Sequence, residues 1–86
     1  MSANSKLSAK ALILASGPTS PNAREVIDEA LKDFVHEKGE LQRIDLAGRT
    51  IVALEIKLDP AHALAISEEL ETLGKRASLD IAMEIL

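Results

Sequence analysis

The chain has no cysteine, tryptophan or tyrosine, and Phe34 is its single aromatic residue. Without thiols there is no disulfide, no thiolate nucleophile and no cysteine metal ligand, as expected for a cytoplasmic protein. The core must come from Leu, Ile, Val and Ala. An aromatic-poor sheet also lacks the rings on which small sheets stack RNA bases. Ten basic against 14 acidic residues leave a net charge of −4, which opposes a polyanionic partner, so neither nucleic acid nor membrane is expected. No apolar run approaches the roughly 20 residues that span a bilayer, and the first eight residues lack a signal peptide's apolar core. Residues 1–6 read as a flexible tail and 7–86 as one domain, since 86 residues have no room for a second core.

Signals for chemistry are equally sparse. The two histidines, His36 and His62, fall in stretches that read as helical, among charged or small neighbours. No HxxxH pair and no Asp-x-Asp repeat points to a metal. Gly17 stands alone rather than in a glycine-rich phosphate loop. No catalytic site, metal or cofactor is therefore expected in these residues.

What the sequence does contain is clear periodicity around one punctuated stretch, Gly17-Pro18-Thr19-Ser20-Pro21-Asn22. Before it, residues 7–15 read as a strand with Ala9, Ala11, Ile13 and Ala15 on one face and Leu12 and Leu14 on the other, hence a central strand. After it, Ser20 suits an N-cap and Pro21 the first helical position. Val26, Ile27, Ala30, Leu31, Phe34 and Val35 then recur at helical spacing. Lys38 suits the C-terminal end of that helix and Gly39 its left-handed cap. Residues 40–47 and 50–58 read as a hairpin turning at Gly48-Arg49. Ile44 and Leu46 share a face in its first strand, and Val52, Leu54, Ile56 and Leu58 face the helices in its second. Asp59-Pro60 starts a second helix, with Ala63, Ile66, Leu70 and Leu73 inward and Gly74 ending it. Residues 78–85 form a last strand, with Leu79, Ile81, Met83 and Ile85 on one face. The order βαββαβ is the ferredoxin-like α+β sandwich, a four-stranded antiparallel sheet with two helices on one face. Strands 1 and 3 are central, and strands 2 and 4 are edges.

Two features can bind. The start of the first helix offers free N–H groups at Asn22, Ala23 and Arg24 and a partial positive charge, with a hydroxyl at Thr19, which suits a carboxylate. The alternative is that Ser20 merely caps the helix. The sheet face away from the helices carries Ile51, Ala53 and Ala82, an apolar patch for a second copy. An edge strand can also pair with one.

The layout resembles the ACT domain, a small regulatory module, over about residues 7–86. It is most similar to the amino-terminal ACT domain of bacterial phosphoserine phosphatases, where the first strand runs into a Gly-x-Asp-x-Pro-Gly loop. Gly17 and Pro21 keep that pattern, Thr19 stands for Asp, and Asn22 stands for Gly. The segment from Gln42 to Thr50 and the Leu-x-x-Leu-Gly from Leu70 to Gly74 also resemble those domains. The resemblance implies a homodimeric, cytoplasmic regulatory module of serine biosynthesis. It would bind a small amino acid, serine or glycine, at Gly17, Thr19, Ser20, Asn22 and Ala23. Asn22 narrows the pocket, and Thr19 removes a partner for the ligand ammonium. A dimerisation domain without ligand is the alternative. Acyl-phosphate hydrolases share the topology but need an Arg and an Asn around a phosphate, and Arg24, Arg43 and Arg49 are not placed for that.

The apolar stripe of the first helix, at ~1.5–3 kcal/mol for each large side chain buried, is what docks it. Leu31→Asp is therefore expected to abolish the cooperative thermal transition seen by circular dichroism; a variant that still melts cooperatively would exclude Leu31 from the core.

Overall fold

In the computed structural model, which describes residues 6–19 and 22–86, the chain forms β1 (Ala9–Pro18), α1 (Ala23–Leu31), β2 (His36–Leu46), β3 (Arg49–Leu58), α2 (Ala63–Arg76) and β4 (Asp80–Ile85). The expected tail lies outside the described residues except for Lys6, as do Ser20 and Pro21. The sheet order is β2-β3-β1-β4, all antiparallel, so β1 and β3 are central and β2 and β4 are edges, as expected. No described helix is long and apolar enough to cross a membrane.

Alternation decides which face is covered. Ala11, Ile13 and Ala15 of β1, Val52, Leu54, Ile56 and Leu58 of β3, and Ile81 of β4 are all buried. They meet Ala23, Ile27, Ala30 and Leu31 of α1 and Ile66 and Leu70 of α2. Alanines interleaved with Ile and Leu let two helices lie close on one sheet without aromatic bulk. Val26, Phe34, Ala63, Leu73 and Met83 pack around this core.

The first helix is shorter than its apolar stripe suggests. Its N-cap is Asn22, not Ser20, and it makes no side-chain cap hydrogen bond. It ends at Leu31, where the Phe34 N–H donates to the Leu31 carbonyl at 2.9 Å in a tightened last turn. Lys38 and Gly39 belong to β2 instead, and so does His36. The reason is tertiary: β3 offers backbone partners as far as Leu58, and His36–Lys38 take them, pairing with Leu58, Lys57 and Ile56. Those strand hydrogen bonds outweigh further helix. Lys38 still contacts α1, through an ion pair with Asp28. A register shift between Lys38 and Leu41 bulges β2.

Two turns also differ from the sequence reading. The hairpin turns at Ala47 and Gly48, both at positive φ (56° and 75°), the mirror-image conformation that suits two-residue hairpins. Gly74 does not end α2; it lies inside the helix, buried, where a Cβ would meet Ile81 Cγ1 and the Leu79 carbonyl at 2.9 Å. Ser78, at φ 60°, takes the left-handed position instead. Leu79 N–H donates to the Gly74 carbonyl at 2.8 Å and Ser78 N–H to the Lys75 carbonyl at 3.2 Å, the paired bonds of a Schellman C-cap. The Asp59 cap is present, accepting from Ala61 N–H at 2.9 Å, and opens a 3-10 turn at Pro60–His62 that leads into α2.

Ser78→Gly should stabilise the domain by about 0.5–1 kcal/mol, because only glycine enters the left-handed region without a Cβ cost. Gly74→Ala should destabilise it by about 1–3 kcal/mol through overpacking. Urea unfolding of the two variants measures both; a stabilising Gly74→Ala would remove the close α2–β4 contact from the account.

Candidate functional site

The residues around the start of α1 are brought together by the sheet register. Gly17 of β1 lies opposite Thr50 of β3, and Thr50 lies opposite Asp45 of β2. One row across three strands thus runs from the β1–α1 turn to the hairpin. The turn is also tied to the hairpin tip, since Thr19 N–H donates to the Gly48 carbonyl at 2.9 Å. β1 extends three residues past the expected Ala15, through Pro18. Proline is tolerated there because β4 pairing has already stopped, at Ser16–Asp80, so its missing N–H breaks no ladder on that side.

Within the row, chemistry concentrates on Asp45. Thr50 is fully buried, and its hydroxyl donates to Asp45 Oδ1 at 2.6 Å. Arg43 Nε donates to Oδ2 at 3.1 Å and Nη2 to Oδ1 at 3.3 Å. The hydrogen bond from Arg43, then that from Thr50, hold the exposed Asp45 carboxyl below the usual carboxylate range. An ionised, oriented carboxylate therefore stands in the row of Gly17, two strands away from it. Opposite it in character are the first N–H groups of the helix: the first intrahelical bond is Val26 N–H to the Asn22 carbonyl, 3.0 Å, and the donors before it have no acceptor in the helix.

Of the expected ligand residues, Thr19 and Asn22 are exposed at this end, while Gly17 and Ala23 are buried. Gly17 has a packing role: a Cβ there would sit 2.8 Å from Leu79 Cδ2 and from the Ser78 carbonyl. Ala23 is 1% exposed and belongs to the core, leaving only its backbone to face outward. Ser20 lies outside the described residues. Asn22 lines a surface depression of about 270 Å³ with Glu25, Val26, Glu29 and Leu73, between the two helices. Its two carboxylates favour a cation on that side.

Asp45 and Thr50 did not emerge from the sequence as site residues. A turn centred on Gly48-Arg49 pairs Asp45 with Val52. The observed turn, one residue earlier, pairs it with Thr50. Positive φ at Ala47, which no local preference of alanine supports, is what concealed the register. The histidines stand apart from this site: His36 Nδ1 lies 2.7 Å from the Phe34 carbonyl, and the His62 ring sits 5.9 Å from that of Phe34. Among the described residues no three His, Asp or Glu side chains group as a metal site.

Because Asp45 is held below its unfolded value, its interactions are fully present above the ordinary carboxylate pKa of ~3.9 and are lost as pH falls through the folded value. A carbon-detected NMR titration should find its midpoint below ~3.9, and Thr50→Val or Arg43→Gln should move it upward. An unmoved midpoint in both variants would dissolve the trio as a unit.

No family model matches the sequence, and no curated protein matches it. Similar folds do occur among solved structures. An ACT domain protein from Streptococcus pneumoniae aligns with a TM-score of 0.78 at 13% identity, over 90% of this chain and 89% of that one. The regulatory subunit of aspartate kinase from Thermus thermophilus gives 0.67 at 18% identity, over 88% and 50%. A formyltetrahydrofolate deformylase from Burkholderia mallei gives 0.77 at 17% identity, over 88% and 28%, so this chain spans just over a quarter of that enzyme. At such identities the likeness is one of fold, and the chain has the βαββαβ fold of ACT domains.

Proposed function

We propose that residues 7–86 form a regulatory, amino-acid-binding module of the ACT type that acts as a pair of copies. The observation that supports this reading is the Gly17–Thr50–Asp45 row, which carries an ionised carboxylate two strands from the residue that leads into the β1–α1 turn. An α-amino acid carries both charges at once. Its carboxylate suits the N–H groups at Asn22, Ala23 and Arg24, with the Thr19 hydroxyl and the Asn22 amide alongside. Its ammonium needs an acid that Thr19 does not supply, and Asp45, in the row of Gly17, is the acid we assign to it. The regulatory role of the similar aspartate kinase subunit supports the regulatory part of the reading. The Gly17 and Pro21 pattern makes serine and glycine the first ligands to try, and a phosphoserine phosphatase of serine biosynthesis the first attached enzyme to consider. Ligand would favour one arrangement of the two copies, and an attached enzyme would respond to that shift.

A second reading, a dimerising domain without ligand, is favoured by one observation. Two of the five expected contacts, Gly17 and Ala23, face packed protein rather than open space.

Amide NMR with a panel of amino acids at millimolar concentration separates the two. Sensing predicts shifts clustered at Gly17, Thr19, Asn22, Asp45 and Thr50. At about 100 times Kd it also predicts ~2.7 kcal/mol of added stability and a thermal midpoint raised by about 11–22 °C. A flat response to every amino acid would overturn sensing and leave the ligand-free reading.

A further inference from the structure

The sheet face away from the helices is unusually apolar at its centre and charged at two ends. Leu14, Ile44 and Ile51 are 42%, 52% and 43% exposed there, with Ala53 and Ala82 between them. A surface depression of about 320 Å³, lined by Leu14, Ser16, Ile51, Asp80 and Ala82, opens on it. In register, the row Ile44–Ile51–Ser16–Asp80 lies next to the row Gln42–Ala53–Leu14–Ala82. On β3, Arg49 lies one step beyond the first row and Glu55 one step beyond the second. Large and small side chains alternate between the two central rows, and opposite charges flank them at equal distance.

This pattern is complementary to itself under one operation. We infer that a second copy of this chain stacks on this face about a two-fold axis perpendicular to the strands, so that Arg49 of each copy meets Glu55 of the other. The inference rests on the reading that the module works as a pair, and adds the face and the geometry. The axis passes between the rows of Ile51 and Ala53. It lays β3 on β3 and β1 on β1, with Ile51 over Ala53 and Leu14 over Ser16, large on small. Two Arg49–Glu55 pairs close the ends. Arg49 makes no ion pair of its own among the described residues. Glu55, 3.4 Å from its own Lys10, gains a second cation. The other face-to-face two-fold, parallel to the strands, lays the β1–β3 row of Lys10 and Lys57 on itself and Ile44 on Asp80, setting like charge on like and an acid on an aliphatic side chain.

The edges are poorer alternatives. β2 is interrupted by its bulge and carries Glu37, Lys38, Glu40, Arg43 and Asp45, and β4 is only six residues long with Asp80 and Glu84 on it. Both are devices that discourage strand addition. The face is large enough for a modest interface. Four strands about 4.8 Å apart, paired over six to eight residues at about 3.4 Å each, offer about 400–500 Å² per copy. Two copies then bury close to the ~1,000 Å² expected of a specific contact.

The test is sedimentation velocity over a concentration series on the full chain, with wild type, Arg49→Glu, Glu55→Arg and the double exchange. Circular dichroism checks that each remains folded. Each single reversal, which places like charges opposite one another twice, should raise the dimer Kd about tenfold or more, and the double exchange should return it to within about threefold of wild type. Ile51→Glu should give a folded monomer. A dimer indifferent to both reversals, or one that the double exchange fails to restore, overturns this geometry while leaving the pairing itself in place. A wild type that stays monomeric overturns the pairing reading and this inference with it.

Discussion

β1 and β3 pair from Ala9–Leu58 to Pro18–Arg49, and both faces of the molecule follow from that ladder. Once the two strands are in register, alternation sends Ala11, Ile13, Ala15, Val52, Leu54 and Ile56 to one side and Leu12, Leu14, Ile51 and Ala53 to the other. The first set needs helices to cover it. The connections from β1 to β2 and from β3 to β4 supply α1 and α2 on that side. A one-residue slip would invert both sets, so burial of the helix side holds the register firmly. The same constraint leaves the second set on a face that no described element of the chain covers.

Close backbone approach ties the outer elements to this ladder. Gly17 in β1 and Gly74 in α2 both leave room for the turn that enters β4, one for Leu79 and Ser78, the other for Ile81 and Leu79. The Schellman bonds from Ser78 and Leu79 back to Lys75 and Gly74 set the angle at which that turn leaves the helix. Gly17, which leads into the β1–α1 turn, is therefore packed against Ser78 and Leu79 on one side, while Thr50 and Asp45 are held by the hairpin on the other. A residue that looks from its loop setting like a ligand contact also holds two strands and a helix together.

Legibility followed the range of the interactions involved. The element order, the central and edge strands, the Asp59 cap and the helix-facing set on β3 were readable, because alternation, helical spacing and capping act over a few residues. The end of α1 was not. Phe34 and Val35 continue the helical stripe, yet β3 offers ladder partners that draw His36–Lys38 into a strand. Gly39 and Gly74 each looked like a helix stop; one lies beside a bulge, and the other makes room for β4. For the candidate site, Thr19 and Asn22 were found at the surface from the cap-and-proline signal, although the cap itself moved to Asn22. Asp45 and Thr50 were missed, since their pairing depends on a turn that puts an alanine at positive φ.

The amino-acid sequence by itself determined the βαββαβ order, the two-sided apolar character of β1 and β3, and the absence of aromatic and thiol chemistry. These depend on composition and on contacts between near neighbours along the chain. Only the tertiary structure decided where α1 stops, which glycines serve packing, and that Asp45, Thr50 and Gly17 share one row. Each of those outcomes is a competition between a local preference and backbone or side-chain partners that lie tens of residues away. Hydrogen bonds in a ladder and contacts in a packed core outweigh the fraction of a kcal/mol per residue by which local propensities differ.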